Sequence, residues 1–372
     1  MLQYLPRQDF PQPRANIDIS LNEVGPIVSA GWEDSTTESH MWEQICSLRG
    51  AVAVGAGLRQ IGSPAPQISL ARFAGIVDYH PEDLVVTVGA GTRLSYLNKV
   101  LGEHGQWLPV VPADGGDDSI GGLVAAGVDG GLKGSQGSVR DRVLGMRVVT
   151  PAFGPVFVGS RVVKSVAGYN LVRIMAGTRG ALGVITSVVL KVSPRPSLKT
   201  WAEPFDGPLP LPDAWTRFSQ AGTQCAARGL MRYEGRAFLY AAWEGPPDMA
   251  GLPPGHPASS SVGALPVLPA RPAAILAAGA VPPNQSEALW LQSPSASALQ
   301  VDVQSGTFFA VLSDQAAWIA LEQTIRNLSG SLRLLRGFDA SQLKPSSDPL
   351  WMGLKNQFDP EGCLQDFEEV SL

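Results

Sequence analysis

The chain has 372 residues, of which 44% are hydrophobic and 16% charged, and a net charge of −5. That composition describes a folded globular protein of about two or three domains and excludes both a disordered tail and a basic nucleic-acid binder. Three cysteines, Cys46, Cys225 and Cys363, are too scattered for a disulfide framework or a CxxC metal or cluster site. A reduced, cytoplasmic setting is therefore expected, and any iron–sulfur relay would sit in another chain.

Residues 1 to about 30 read as an irregular lead-in without the apolar core of a signal peptide. Met41, Ile45 and Leu48 recur at helical spacing, and the helix they predict leads into a strand at "AVAV" and the glycine turn "GAGLRQIG". Strands are expected at "GIVDYH" and "LVVTVGAGT", a helix at "LSYLNKVLGEHG", and strands again at "VLGMRVVT", "PVFVG" and "GVITSVVLKV". The pattern breaks at "SPRPS", which predicts a boundary near Ser197. Beyond it, "AFLYAAWE" and "TFFAVL" read as strands and "DQAAWIALEQTIRNL" as a helix. Residues 246–283, rich in Pro, Gly, Ser and Ala, read as a mobile loop or linker. Its most apolar part holds three prolines and Arg271 and is too interrupted to span a bilayer. Short strands alternating with helices, without a strict βαβ rhythm, predict an α+β fold.

Three glycine-rich segments stand out. The first, "VAVGAGLRQIG", starts like a dinucleotide fingerprint, with Asp78 about 20 residues further on. Pro64 and Pro66 forbid the helix such a fingerprint needs, and the spacing is wrong, so what is left is a loop whose amides can face an anion. The second holds ten glycines between Gly115 and Gly145, a density that backbone entropy alone disfavours. Its acids Asp114, Asp117 and Asp118 do not match a calcium loop and read as turn or capping residues, with Ser119 as an N-cap. The third, "KSVAGYNLVRIMAGTRGALGVITSVVLKV", has helical spacing at Val166, Leu171, Ile174 and Met175, yet Gly168, Gly177, Gly180 and Gly183 interrupt it. A glycine inside an element costs roughly 1 kcal/mol, so the glycines need a reason.

Together, "VGAGLRQIG", "SIGGLVAAG", "GSVRDRVLGMRVVT", "KSVAGYNLVRIMAGTRGALGVITSVVLKVSPRP" and the late "LKNQFDPEG" resemble the FAD-binding domain of the vanillyl-alcohol-oxidase and p-cresol-methylhydroxylase (PCMH) type, especially its members in bacterial glycolate oxidase complexes. The resemblance implies two α+β subdomains over about residues 31–197 clasping an extended FAD. It further implies a smaller α+β cap over 198–345 and a C-terminal segment, 346–372, that returns to the FAD domain. Carried over by position, Gly55, Ala56, Gly57, Leu58 and Arg59 would form the pyrophosphate loop. Ser119, Gly121, Gly122 and Gly127 would form a second wall, Ser138 and Val139 a flavin-facing turn, and Val184 and Ile185 backbone contacts to the adenine half. On this view the glycines stay where main chain lies against FAD, with Val166, Leu171 and Ile174 holding that wall to the core.

Three departures matter. Leu58-Arg59 stands where covalent members place a histidine, so non-covalent FAD is expected. His40, His80, His104 and His256 do not cluster, so the histidine-rich metal or carboxylate site of catalytic relatives is missing, and no metal is expected. After "FDPEG" the chain continues "CLQDF" in place of an Asn-Pro-Gly. The resemblance implies an FAD-linked subunit oxidising a 2-hydroxy acid beside a sister flavin subunit and an iron–sulfur subunit, without membrane insertion of its own. The alternative is an accessory or structural FAD-binding subunit supporting a sister flavoprotein. An NADPH-using reductase is a weaker third reading, because no nicotinamide fingerprint is found. Arg232, Tyr233, Arg236 and Lys355 are candidate polar groups, but none is assigned a catalytic role.

Overall fold

The computed structural model describes residues 35–48, 50–54, 66–112, 115–127, 129–160, 171–196, 198–205, 225–244, 268, 275–337, 348–366 and 370–371. Helix α1 (Ser35–Ser47) buries Met41 and Ile45, four residues apart on one face. Strand β1 (Val52–Val54) pairs in parallel with β2 (Gln67–Ser69), and the glycine turn expected between them lies outside the described residues. Next come β3 (Ile76–His80), β4 (Val85–Gly89), α2 (Leu94–Gly102), β5 (Gln106–Trp107) and α3 (Ile120–Ala126). The short helices α4 (Lys133–Gln136) and α5 (Val139–Arg142) precede β6 (Val143–Thr150), β7 (Gly154–Gly159), α6 (Leu171–Met175) and β8 (Val184–Lys191).

Strands β3, β4, β8, β6 and β7, in that order, make an antiparallel five-stranded sheet. Its central strand β8 is buried from Val184 through Leu190. A run without alternation is what a strand covered on both faces requires. Helix α1 lies on the face of Thr186, whose hydroxyl donates to Glu38 at 2.6 Å, and α3 also packs against β8. In the third glycine-rich segment only Leu171–Met175 is helical among the described residues; Val166 and Gly168 lie outside them.

Strand β9 (Ser193–Pro194), the opening of "SPRPS", pairs with β5. There follow β10 (Leu198–Phe205), β11 (Cys225–Tyr233), β12 (Arg236–Glu244), β13 (Ile275–Ala280), α7 (Ser286–Gln292), β14 (Ala296–Asp302) and β15 (Thr307–Leu312). Helix α8 (Gln315–Asn327), β16 (Ser331–Arg336), α9 (Pro349–Phe358) and β17 (Val370–Ser371) complete the described elements. The second sheet is eight-stranded and antiparallel, ordered β10-β12-β11-β14-β15-β13-β16-β17. Period-two alternation divides its side chains. Leu230, Leu239, Leu299 and Phe308 pack with Trp290 of α7 and with Trp318, Leu321 and Ile325 of α8. Met231, Phe238, Tyr240 and Phe309 turn the other way and share one core with Leu123, Val148 and Val188 of the first half.

The loop expected over 246–283 is corrected at its end. Ile275–Ala280 is an inner strand, bonded to β15 on one side and β16 on the other. Its alanines and glycine gave a linker-like composition because its neighbours leave no room for larger groups. A Cβ on Gly279 would lie 2.0 Å from the Ser331 carbonyl oxygen and 2.6 Å from the Phe308 ring. No helix among the described residues is long and apolar enough to cross a membrane.

Candidate functional site

The pyrophosphate-loop candidates Gly55, Ala56, Gly57, Leu58 and Arg59 lie outside the described residues; the strand that leads into them does not. Strand β1 is bordered on one side by β2 and at its foot by the C-terminal segment. Gly50 N–H donates to Gly362 O at 3.1 Å, Ala51 N–H to Cys363 O at 2.8 Å, and Gln365 N–H to Ala51 O at 3.0 Å. That segment is shaped by Asp359, whose carboxylate accepts from Cys363 N–H and Leu364 N–H at 2.8 and 2.9 Å and from Lys355 Nζ at 2.7 Å. Lys355 also donates to Ala181 O and Leu364 O at 2.7 and 2.9 Å, which ties helix α9 to the turn before β8.

The other candidates collect around α3. Ser119 is its N-cap, as expected, and accepts from Gly122 N–H at 3.2 Å. Gly121 is closed by the protein itself, since a Cβ there would sit 2.6 Å from Ala90 Cβ, and its N–H donates to Ala90 O. Gly122 is open; an added Cβ would meet only Ser119 Oγ, at 2.9 Å. Gly127 ends the helix in the left-handed region at φ 60°. Ser138 N-caps α5 in a capping box with Asp141, and Val139 is buried, its N–H donating to Asp129 Oδ1 at 3.0 Å. The Ser138 hydroxyl, first among several partners, holds the Asp141 carboxyl below its usual range. Val184 and Ile185 are buried in β8 opposite Val149 and Val148. Since α3 packs on both α5 and β8, these residues form one neighbourhood, with Ser119 and Gly127 at opposite ends of the helix.

The acids of the second glycine-rich segment fill capping roles where they are described. Asp117 accepts from Ser95 N–H and its hydroxyl, both at 2.8 Å, at the start of α2, and Asp118 is buried; Asp114 lies outside the described residues. Among the described residues the sole grouping with metal-ligand types is His80, Glu82 and Asp83, fully exposed and away from α3. Asp78, about 20 residues beyond the first glycine turn, faces His80 at 3.1 Å on the surface.

The third segment has a different rationale from the one its sequence suggests. Gly177, at φ 94°, sits where Arg140 of α5 and Arg333 of β16 meet; a Cβ there would lie 3.1 Å from Arg140 Nη2 and 3.6 Å from Arg333 Nη1. Arg140 donates to Ala176 O at 3.0 Å and Arg333 to Ala126 O at 3.4 Å, so the guanidinium groups cover the carbonyl ends of α6 and α3. Gly183 gives room to Val148, whose Cγ1 would be 2.5 Å from a Cβ. These two glycines thus have a packing reason inside the chain. Arg333 had no local signal in the sequence, because its reach across to α3 is a product of tertiary structure.

An FAD fits the described part of this frame. At Gly122 the one neighbour within 4 Å of the place of a Cβ is the Ser119 hydroxyl, at 2.9 Å, so a flat group can approach the backbone from the other directions. Residues 50–160 match the family described as FAD binding domain. Over those residues the chain therefore carries an FAD-binding domain. Within it, 123 residues are 46% identical to glycolate oxidase subunit GlcE of Escherichia coli, covering 33% of this chain and 35% of that one. A further similarity, 40% over 129 residues, is to the mitochondrial D-lactate dehydrogenase [cytochrome] of Arabidopsis thaliana, covering 35% of this chain and 22% of the relative. The match thus spans about a third or less of these relatives' lengths. A solved alkyldihydroxyacetonephosphate synthase superposes with a TM-score of 0.61 at 14% identity, over 92% of this chain and 76% of that one, which establishes a shared fold.

Proposed function

We propose that this chain is an FAD-dependent oxidoreductase subunit that takes part in oxidising a 2-hydroxy acid such as glycolate to the 2-oxo acid, in a complex with a sister flavin subunit and an iron–sulfur subunit. The observation that carries the reading is the FAD-binding match over residues 50–160, and the gathering of the glycine walls around α3 supports it. In this reading the amides of Gly55 to Arg59 solvate the pyrophosphate, and Ser119, Gly121, Gly122 and Gly127 line the second wall. Ser138 and Val139 turn toward the flavin, and the backbone of Val184 and Ile185 borders the adenine half. FAD is held non-covalently, as Leu58-Arg59 offers no histidine. When bound, FAD supplies the acceptor for the hydride leaving the substrate carbon. The chain divides near Ser197 into an FAD half and a cap, with residues 346–372 returning to β1. Its location is cytoplasmic, peripheral to a membrane only through partners.

A second reading, an accessory FAD-binding or structural subunit, is favoured by one observation. Each polar candidate outside the FAD half is committed within the chain. Arg232 donates to Ser293 O and lies 5.0 Å over the Trp290 ring; Tyr233 donates to Glu234 at 2.7 Å; Arg236 lies 5.2 Å over Phe238; and Lys355 holds Asp359.

The test is a visible spectrum of the purified chain, repeated on the supernatant after denaturation, followed by glycolate oxidation by the chain alone and in its complex. Flavin bands released to the supernatant, with glycolate oxidised by the chain alone, are expected on the first reading. Flavin with activity only in a complex whose sister subunit does the chemistry selects the second. A chain that stays colourless after incubation with FAD sinks both.

A further inference from the structure

Cys46 and Cys363 are 317 positions apart in the chain, yet they meet at the foot of β1. Cys46 is the penultimate residue of α1, and Cys363 lies in the turn shaped by Asp359. The Cys363 sulfur is 4.0 Å from the Cys46 carbonyl oxygen, and the Cys46 sulfur is 3.9 Å from the Pro151 carbonyl oxygen. Neither is in a disulfide in this structure. Their backbones hold a fixed register through the bonds from Gly50 to Gly362, Ala51 to Cys363 and Gln365 to Ala51, so the sulfurs need no search to find one another.

Their exposures differ in a way that assigns roles. Cys46 is exposed, whereas Cys363 is 1% exposed. A dissolved oxidant can reach only the first, and the second can react only with its neighbour. That is the arrangement of an attacking and a resolving cysteine. We propose that Cys46 and Cys363 form a reversible disulfide that fastens the C-terminal segment to α1 beside the strand leading into the glycine turn.

The oxidant is a low-molecular-weight disulfide. The Cys46 thiolate attacks one of its sulfurs and releases one thiolate, leaving a mixed disulfide on Cys46. The Cys363 thiol then gives up its proton, attacks the Cys46 sulfur and releases the second thiolate. Two protein thiols lose two electrons and two protons, and one small disulfide gains them as two thiols. The surroundings of the Cys46 sulfur withhold water from a charge, and the Asp359 carboxylate repels one. Both raise its thiol above the ordinary range, which lowers its thiolate fraction and slows the first attack.

The proposal is independent of the chain's catalytic role. It is tested by incubating the full chain with excess oxidised glutathione and mapping its peptides without reduction. A cross-linked peptide joining Cys46 to Cys363 is expected, with a Tm raised by several degrees and returned to its starting value by dithiothreitol. Cys46→Ser, at an exposed position, abolishes both effects while keeping the reduced parent's Tm, and Cys363→Ala gives the same result from the buried side. An adduct that stops at glutathione on Cys46, a cross-link through Cys225, or a Tm rise that survives in Cys46→Ser overturns it.

Discussion

Glu38 of α1 and Arg147 of β6 form a buried ion pair that joins a helix to the face of the five-stranded sheet. Both carboxylate oxygens accept from Arg147 Nε, at 3.0 and 3.1 Å, and one accepts from Nη2 as well. Glu38 is 1% exposed, while the Arg147 side chain keeps 28% of its surface in water. Removing one partner of a buried pair strands the other, at a cost of about 3–5 kcal/mol. Because Arg147 retains some water, Arg147→Met, which leaves the buried carboxylate without its cation and with the Thr186 hydroxyl still donating to it, is expected to cost more than Glu38→Gln. Urea unfolding of the two variants and of the double variant measures this. Equal, small losses below about 1 kcal/mol would show that the pair is of surface strength.

Gly121 and Gly122 are adjacent but predict opposite phenotypes. Gly121→Ala drives a methyl to 2.6 Å from Ala90 Cβ, an overpacking of about 1–3 kcal/mol that appears as a lowered Tm of the flavin-free chain. Gly122→Ala meets only the neighbouring serine hydroxyl, so the flavin-free Tm changes little and the loss is expected in FAD affinity, by tenfold or more. Calorimetry with and without FAD separates the two. Unchanged FAD affinity in Gly122→Ala would remove this surface from the cofactor wall.

Asp302, at the end of β14, is 3% exposed. Its Oδ1 accepts from the N–H groups of Gln304 and Ser305 at 2.9 Å, and its Oδ2 has no hydrogen-bond partner among the described residues. Burial raises its pKa, against the lowering effect of those hydrogen bonds and of Arg228. An acid whose folded pKa lies above its unfolded value contributes stability below the unfolded value, about 4, and loses that contribution as pH rises through the folded one. Asp302→Asn keeps the turn acceptor and carries no charge. Its stability relative to the parent is therefore expected to improve between about pH 4 and neutral by ~1–3 kcal/mol. A difference that stays flat across that range in denaturant titrations contradicts this.

Lys355 holds Asp359, a side chain with no exposure, and two carbonyl oxygens at once. Lys355→Met is expected to lower stability by about 3–5 kcal/mol and to make the C-terminal segment sensitive to protease. In an assembled enzyme the KM for a hydroxy acid should not change. A KM raised tenfold at unchanged Tm would instead make this lysine a substrate contact.

The strands of the first half were legible because β-branched runs such as "VITSVVLK" suit a doubly covered sheet, and the Ser119 cap followed from one side chain before a helix. Strand β13 was not legible. "ILAAGA" has the composition of a linker, and only the Phe308 ring and the Ser331 carbonyl beside it explain the small residues. Gly229 of β11 is a similar case, since its missing Cβ leaves room for the Tyr240 ring, whose oxygen would be 2.6 Å away. Such residues answer to neighbours far off in sequence, which a local pattern does not contain. In the candidate site the glycine walls could be named from the sequence. The clamp of Arg140 and Arg333 over two helix ends, and the pairing of Asp359 with the segment beside β1, depend on contacts that only the folded chain makes.

The bridge between Ala51 and Leu364 has a consequence for how the protein is made. On a ribosome Ala51, at the foot of the strand leading into the glycine turn, waits for more than 300 further residues before Leu364 can bridge to it. Long-range closure of this kind is slow. The strand therefore gains this neighbour only once Leu364 has been made, long after its partner β2 is available.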